Sequence, residues 1–309
     1  MLSPDRGRLV FSTPDGQAIA PDVIVVRPIR EWRQSWTDWA HDAGQIVIAD
    51  LDDDVWAHED WTPDSRPDDD NYEEWCFGVD AFLVSTPRIA WRVRERGYAG
   101  SIYVAPNCYD PWGMQGRPEP LAETRRIGTR LWLSGRMSAD LALYDELILP
   151  QLADLDLAFV HIGAEPGQRF TDRGWPQDRL VEQPAVPLPL MGRALSEMSV
   201  GCVVMGDHEF NRAKTETSGV EMGGAGLPLL AATDHRLYIQ CPGRVEPTVA
   251  AVRKRLVSLM DPVLWRRESE RAVIWARAVA ERSERRHMEM LHTAVSRLYS
   301  RRDRPLSRQ

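Results

Sequence analysis

The stretch GCVVMGDHEFNRAKTETSGVEMGGAGLPLLA, residues 201–231, decides the fold. It opens with an apolar, β-branched run at 201–205 and closes with a second apolar run at 227–231, both typical of buried strands. Between them the sequence predicts a helix that begins near Lys214 and Thr215 and stops at Gly226, where a glycine-rich run permits close backbone approach. A strand, a helix and a second strand in this order indicate a parallel α/β unit.

The same alternation extends over most of the chain. Strands are predicted at 22–28, 45–50, 81–85 and 102–105, with helices at 31–43 and 87–97. A Pro/Gly-rich linker at 111–128 is followed by further predicted strands at 130–134, 157–162, 201–205, 227–231 and 237–240. Helices are predicted at 141–155, at 188–198 and from 247 onward, with breaks near 261–262 and 283. We therefore expect an α/β protein with two Rossmann-like domains facing a cleft.

Composition limits the classes of function. The 309 residues carry a net charge of −8, which disfavours a nucleic-acid partner. No run is long and apolar enough for a membrane span, and the N-terminus lacks a signal-peptide pattern, so the sequence predicts a cytoplasmic protein. Four scattered cysteines without a CxxC pair suggest neither a zinc site nor a disulfide framework.

The predicted helix in the 201–231 stretch has the chemistry of an anion site. Helix N-termini present unpaired N–H groups and the positive end of the dipole, which suit a phosphate. Lys214 adds a compact positive charge, and Thr215 could cap the helix. Glu221, nearly two turns further along, is placed to accept hydrogen bonds from a pair of sugar hydroxyls.

These residues also carry a resemblance. The pattern Phe210-Asn211-x-x-Lys214-Thr215, then Glu221, then Gly226-x-Pro-Leu-Leu resembles the donor-binding segment of GT-B glycosyltransferases of the retaining group 1 type, in particular small bacterial and phage-encoded ones. Four other blocks resemble the same group in the same order: DLDDDVW at 50–56, VDAFLVST at 79–86, VAPNCYD at 104–110 and LSGR at 133–136. The resemblance spans roughly residues 22–232.

The resemblance implies transfer of a sugar from a nucleotide-diphosphate sugar to an acceptor hydroxyl, with a glycan or a protein as acceptor. It implies a first domain at 1–118 that binds the acceptor and a second domain at 119–260 that binds the donor. The C-terminal helices, at 261–309, would cross back onto the first domain. Retention is implied by analogy, and neither a metal ion nor another cofactor is expected.

Six positions are expected to bind the donor. The resemblance implies that Glu221 binds the nucleotide ribose and that Lys214 and Arg136 bind the diphosphate. Thr215 would assist them, and Gly135 would let the backbone approach the donor. Asn211 belongs to the matching motif.

Two departures from the family pattern leave the stereochemistry open: Ala213 stands where many retaining members have a glutamate, and a lysine often found later is replaced by Ser218.

Candidate catalytic residues lie at two places. Asp50, Asp52, Asp53 and Asp54 follow a predicted strand, and three interpretations remain open: a metal site, an acceptor-side role with Asp52 or Asp53 as a general base, or a solvated loop. His208 precedes Phe210 at the end of a strand, where it could contact the donor sugar.

Three other functions remain open on sequence grounds. A nucleotide-sugar epimerase shares the two-domain fold, and a non-catalytic homologue could keep nucleotide-sugar binding alone. A transferase that acts on modified DNA bases is disfavoured by the net charge.

Overall fold

The computed structural model describes residues 2–5, 8–12, 18–19, 21–26, 34–54, 56, 78–114, 116–130, 138–163 and 170–302. These residues divide into two compact units. The first unit comprises those within Met1–Trp56, Arg66–Asn107 and Arg285–Gln309, and the second comprises those within Cys108–Glu284. The domain boundaries expected from the sequence, at 118 and 260, stay predictions, because the division into compact units does not test them.

The first unit contains two sheets. Its N-terminal strands form a three-stranded antiparallel sheet: β1 Leu2–Asp5, β2 Arg8–Ser12 and β3 Ala18–Ile19. Four parallel strands follow in sequential order: β4 Val23–Val26, β5 Ile46–Leu51, β6 Ala81–Val84 and β7 Ser101–Val104. Two helices belong to this parallel sheet: α1 Gln34–Asp42 and α2 Pro87–Glu95.

Both faces of the parallel sheet are covered because its strands are apolar on both sides. Helices α1 and α2 contact the sheet through β5, β6 and β7. Ile48 and Leu83 belong to a core cluster with Ala294 and Leu298, from the last part of the C-terminal helix. A segment more than 200 residues further along the chain therefore completes the core of the first unit.

The second unit is built on one parallel sheet of six strands. The strands are β8 Arg126–Arg130, β9 Ala158–Ile162, β10 Leu180–Gln183, β11 Val200–Val204, β12 Leu229–Ala232 and β13 Arg244–Val245. The helices, in chain order, are α3 Leu121–Thr124, α4 Ser138–Leu147, α5 Leu149–Asp154, α6 Leu188–Leu195, α7 Glu209–Arg212, α8 Thr217–Gly224, α9 Val249–Ser258 and α10 Pro262–Arg302. The residues of α10 from Arg285 onward belong to the first unit.

The strand order of this sheet is β10-β9-β8-β11-β12-β13. Counted within the unit, this is the 3-2-1-4-5-6 order of dinucleotide-binding folds. Separate apolar clusters cover its two faces, one containing Phe159 and Val200, the other Val160 and Val203. The expectation of an α/β fold with two parallel sheets is confirmed.

Several predicted elements differ from the structure. Residues 237–240 are not a strand, because Arg236–Tyr238 form a 3-10 turn that buries Tyr238. The helix predicted at 141–155 is two helices, since Pro150 cannot continue the first one. Only Arg130 of the strand predicted at 130–134 lies within the described residues. It belongs to a strand that begins at Arg126, and this start was missed because the segment carries two arginines and a threonine.

The C-terminal helix α10 begins where a break is predicted and continues where another is predicted. Asp261 precedes it, and the Oδ1 atom of Asp261 accepts hydrogen bonds from the N–H groups of Val263 and Leu264. The helix runs through Ser283 without a break, so the prediction there is wrong, because one serine costs a helix little. Among the residues that the structure describes, no helix combines the length and apolarity that a membrane span requires.

Candidate functional site

The candidate site lies in the second unit, where β8 and β11 pair side by side. From β8 the chain proceeds to β9 and β10 on one side, and from β11 to β12 and β13 on the other. In open α/β sheets ligands bind at this reversal point, outside the carboxyl ends of the strands. The residues that follow β8 and β11 are therefore the candidates for ligand contact.

Arg130 is the last residue of β8, and its guanidinium forms an ion pair with the carboxylate of Glu221 in α8. Only 5% of the Arg130 side chain and 10% of the Glu221 side chain are exposed. Burial lowers the pKa of Arg130 to about 10, so the guanidinium is still charged at neutral pH. The sequence singles out Glu221 but misses Arg130, although an arginine beside the apolar run that predicts a strand at 130–134 is itself an unusual feature.

The loop between β11 and α7 is organised by Asp140, a residue of the first turn of α4. The buried carboxylate of Asp140 accepts hydrogen bonds from the Gly206 N–H at 2.7 Å and from Asn211 Nδ2 at 2.9 and 3.0 Å. The Nε2 atom of His208 lies 3.2 Å from Asp140 Oδ1. Two predicted site residues, His208 and Asn211, are thus joined by an aspartate that the sequence does not single out.

Asn211 is buried, and its side-chain amide donates hydrogen bonds to other groups of the protein. Besides the bonds to Asp140, its Nδ2 donates to the Gly206 carbonyl at 3.0 Å. His235 lies near the same loop: burial lowers its pKa, and hydrogen bonding to the Asn211 backbone opposes that shift. The structure therefore shows Asn211 as a residue that shapes the loop.

Helix α8 begins at Thr217, two to three residues later than predicted, and Glu216 occupies its N-cap position. Thr215 is therefore not the cap; its Oγ1 lies 3.0 Å from the Oγ1 of Thr217. A short helix, α7, precedes α8 and contains the four residues just before Ala213. Lys214 and Thr215 are half-buried, so the start of α8 is not sealed inside the second unit.

Three groups surround the start of α8. The ammonium of Lys214 lies over the ring of Phe210, 4.3 Å from its centroid, as in a cation–π contact. Burial raises the pKa of the Tyr109 hydroxyl above its usual value, and hydrogen bonds to Thr215 and Thr217 oppose this. Burial also raises the pKa of the Glu216 carboxyl. The start of α8 therefore combines a cation, hydroxyls and a half-buried acid.

The glycine-rich end of α8 allows other backbone segments to approach it closely, as predicted. The segments that lie against these glycines belong to the second unit itself. A Cβ at Gly224 would lie 2.7 Å from the Cβ of Pro111. Gly226 has a φ of 90°, which favours glycine, and the Leu227 N–H donates to the Met222 carbonyl to close the helix. Gly135 and Arg136 lie outside the residues that the structure describes.

The acidic block in the first unit divides into two kinds of residue. Asp54 is fully buried; its Oδ2 accepts from Arg92 Nε at 3.1 Å and its Oδ1 from the Trp56 N–H at 3.2 Å. Burial raises the pKa of Asp54, and the Arg92 hydrogen bond opposes that rise. Asp52 and Asp53 are half-buried at the carboxyl end of β5. Asp50 is half-buried as well, so among the described residues of the block Asp50, Asp52 and Asp53 remain candidates to face a ligand.

No protein-family model matches the chain, and no curated protein matches it. Solved structures do match the chain. Sucrose-phosphate synthase (tll1590) from Thermosynechococcus elongatus matches with a TM-score of 0.57 and 13% identity over 91% of this chain and 73% of that one. Alpha,alpha-trehalose 6-phosphate synthase from Burkholderia multivorans matches with a TM-score of 0.56 and 13% identity over 93% and 73%.

A third similar structure is the G117R mutant of TarM from S. aureus, in complex with fondaparinux, alpha-GlcNAc-glycerol and UDP. It matches with a TM-score of 0.58 and 11% identity over 82% of this chain and 52% of that one. The chain thus spans about half the length of this relative. All three are glycosyltransferases, and at 11–13% identity their likeness concerns the fold. With its two parallel α/β sheets, the chain has the GT-B fold.

Proposed function

We propose that this protein transfers a sugar from a nucleotide-diphosphate sugar to an acceptor hydroxyl. The observation that carries the proposal is the junction of β8 and β11, where a 3-2-1-4-5-6 sheet brings the Arg130–Glu221 pair to the edge that binds nucleotides in this topology. The GT-B fold, shared with three glycosyltransferases, supports the same conclusion.

The donor would bind to the second unit through three kinds of contact. Lys214, the N–H groups at the start of α8 and Thr215 would hold the diphosphate, together with Arg136. Glu221 would accept hydrogen bonds from the ribose, with Arg130 holding its carboxylate in place. The TarM mutant is in complex with UDP, so UDP-sugars are the first donors to test.

The chemical requirement is to stabilise the charge that develops on the leaving nucleoside diphosphate. A fixed ammonium and a helix dipole meet that charge without reorganisation, in a partly desolvated site where both count for more than in water. We propose that these groups replace a metal ion, so that activity persists in excess chelator. We also propose that the anomeric configuration of the sugar is retained.

The acceptor, a glycan or a protein, would bind to the first unit. Asp52 and Asp53 directly follow the parallel strand β5 and are half-buried, so either carboxylate could accept the proton of an acceptor hydroxyl. Asp54 is excluded from that role because its carboxylate is buried against Arg92 and Trp56.

A thermal-shift screen with UDP-, GDP-, ADP- and dTDP-sugars tests the proposal. A donor at 100 times its dissociation constant adds about 2.7 kcal/mol to the unfolding free energy, which raises the melting temperature by several degrees. Each stabilising donor is then incubated without acceptor, with and without chelator, and the products are identified by NMR.

Slow hydrolysis that releases the sugar with its original anomeric configuration, equal in both conditions, is the expected result. An isomerised nucleotide-sugar would contradict transfer and indicate an epimerase. Stabilisation without any turnover, also with glycan and protein acceptors, would indicate a binding protein.

A further inference from the structure

Asp140 is a nearly completely buried carboxylate that makes all its described side-chain contacts with one loop. It lies in the first turn of α4, and its contacts are Gly206, His208 and Asn211, all between β11 and the end of α7. This loop connects the end of β11 to Lys214, at the edge of the sheet where the donor is proposed to bind. Asp140 therefore connects the element that follows β8 to the element that follows β11.

A buried carboxylate needs compensation, and the geometry supplies it. Oδ1 of Asp140 accepts from the Gly206 N–H and the Asn211 amide, and Oδ2 accepts from Asn211 as well. The first turn of a helix adds the positive end of the α4 dipole. In a dinucleotide fold that helix start is a phosphate site. Here that helix start carries the Asp140 carboxylate.

The same carboxylate determines the state of His208. Both carboxylate oxygens of Asp140 already accept N–H groups from Gly206 and Asn211, so the hydrogen bond between Asp140 Oδ1 and the Nε2 atom of His208, 3.2 Å away, points to Nε2 as its donor. The bond also fixes the plane of the imidazole, and 14% of the His208 side chain is exposed. A carboxylate that orients a histidine and sets its tautomer is a recurrent arrangement at functional sites.

We propose that Asp140 is a positioning residue: it holds the 206–211 loop in place and keeps His208 in the Nε2–H tautomer for its contact with the donor sugar. The contact of His208 with the donor sugar, expected from the sequence, requires the proposed function to hold, but the tautomer itself is a property of the free protein. The two can therefore be tested separately.

The experiment is nitrogen NMR of the full chain labelled with ¹⁵N-histidine, near neutral pH and without ligand. The His208 signals are assigned by their loss in His208→Gln. The expected result is the Nε2–H tautomer in the wild type and a loss of that tautomer preference in Asp140→Asn, whose amide can also donate. The matched control is Asp145→Asn, the same change in the same helix, where the carboxylate pairs with Arg173 and Trp175.

Kinetics form the second arm. In Asp140→Asn we expect kcat to fall by about 10² to 10⁴, the range for loss of a positioned proton-transfer or orienting group, with the donor KM changed less than threefold. Asp145→Asn should leave kcat within about threefold of the wild-type value, because its carboxylate makes no contact with the loop.

The two proposals fail in different ways. A wild-type His208 in the Nδ1–H tautomer overturns this inference, whether or not Asp140→Asn folds. So does a His208 spectrum that is unchanged in a folded Asp140→Asn. A wild-type enzyme that turns over no nucleotide-sugar overturns the proposed function instead, and the NMR result still decides the tautomer.

Discussion

The Glu221 carboxylate balances the charge of the buried Arg130 guanidinium, in addition to its proposed contact with ribose. Replacing Glu221 by alanine leaves the buried Arg130 guanidinium without its counter-charge, and we expect the unfolding free energy to fall by about 3 kcal/mol. The ion pair of Arg126 and Glu197 is the matched control, since Arg126 lies on the same strand and both side chains are more than 40% exposed. Glu197→Ala should cost less than about 1 kcal/mol.

Urea denaturation of both variants measures the difference. Equal losses in the two would contradict the buried ion pair. The expected loss also means that Glu221→Ala does not isolate nucleotide binding, because a decrease in affinity could reflect partial unfolding. Lys214 is the better residue for that purpose.

The acidic block after β5 gives a second contrast between neighbours. Asp54→Ala removes the buried acceptor of Arg92 and the Trp56 N–H, so we expect a loss of about 3 kcal/mol of unfolding free energy. Asp53→Ala, one residue earlier and half-buried, should cost less than about 1 kcal/mol. Chemical denaturation distinguishes them, and a larger loss in Asp53→Ala would contradict this division of the block.

At the scale of single residues, the sequence points to residues near a motif and misses the partners that lie far away along the chain. Lys214, Thr215 and Glu221 are read from one continuous stretch. Asp140 and Arg130 are 70 to 90 residues earlier, and only the pairing of β8 with β11 brings them to the same place. A single sequence carries no local signal for such a pairing, so the two residues emerge only from the fold.

Among the elements, strands β8, β9 and β10 place a polar row inside the sheet. Thr129, His161 and Glu182 occupy directly paired positions on the three strands. His161 is buried against Phe170, and its Nδ1 lies 3.7 Å from Glu182 Oε1. Burial lowers the pKa of His161 to about 4, while the nearby Glu182 opposes that shift.

This shift predicts a pH dependence of stability. Between pH 6.5 and about 4 the unfolded chain binds a proton at His161 that the folded chain does not, so stability falls as the pH falls through this window, at up to about 1.4 kcal/mol per pH unit. Above pH 6.5 the histidine is neutral in both states and contributes no slope. The difference in unfolding free energy between wild type and His161→Gln should therefore change only below pH 6.5. A constant difference from pH 8 to pH 4 would contradict it.

The elements that the sequence predicts well are the long apolar strands and the helices with clear ends. β5, β6 and β11 are predicted to within a residue because their apolar runs have no alternative in a buried sheet. The 236–238 turn is mistaken for a strand because the burial of Tyr238 comes from packing with Trp275, which periodicity cannot show. The start of α8 shifts because the short α7 precedes it.

For the whole molecule, helix α10 belongs to both units: its residues up to Glu284 to the second and those from Arg285 onward to the first. Ala294 lies in the core of the first unit, next to Ile48 and Leu83. Ala294→Asp would bury a charge there, and we expect a loss of about 3 kcal/mol or more of unfolding free energy. Met288→Asp, at an exposed position of the same helix, should leave stability within about 1 kcal/mol. Circular dichroism during urea unfolding compares them, and matching curves would contradict the role of α10 in the first unit.

The central claim is that a nucleoside diphosphate binds to the second unit at the start of α8. The chain contains only two lysines, which makes a matched pair: Lys214 lies at that position, and Lys254 is exposed on α9. Isothermal titration of UDP, GDP, ADP and dTDP into the wild type, Lys214→Ala and Lys254→Ala is the most direct measurement. We predict that at least one nucleotide binds the wild type, that Lys214→Ala weakens it by about 10-fold or more, and that Lys254→Ala binds like the wild type. Binding of none of the four, or equal affinity in Lys214→Ala, would contradict the claim.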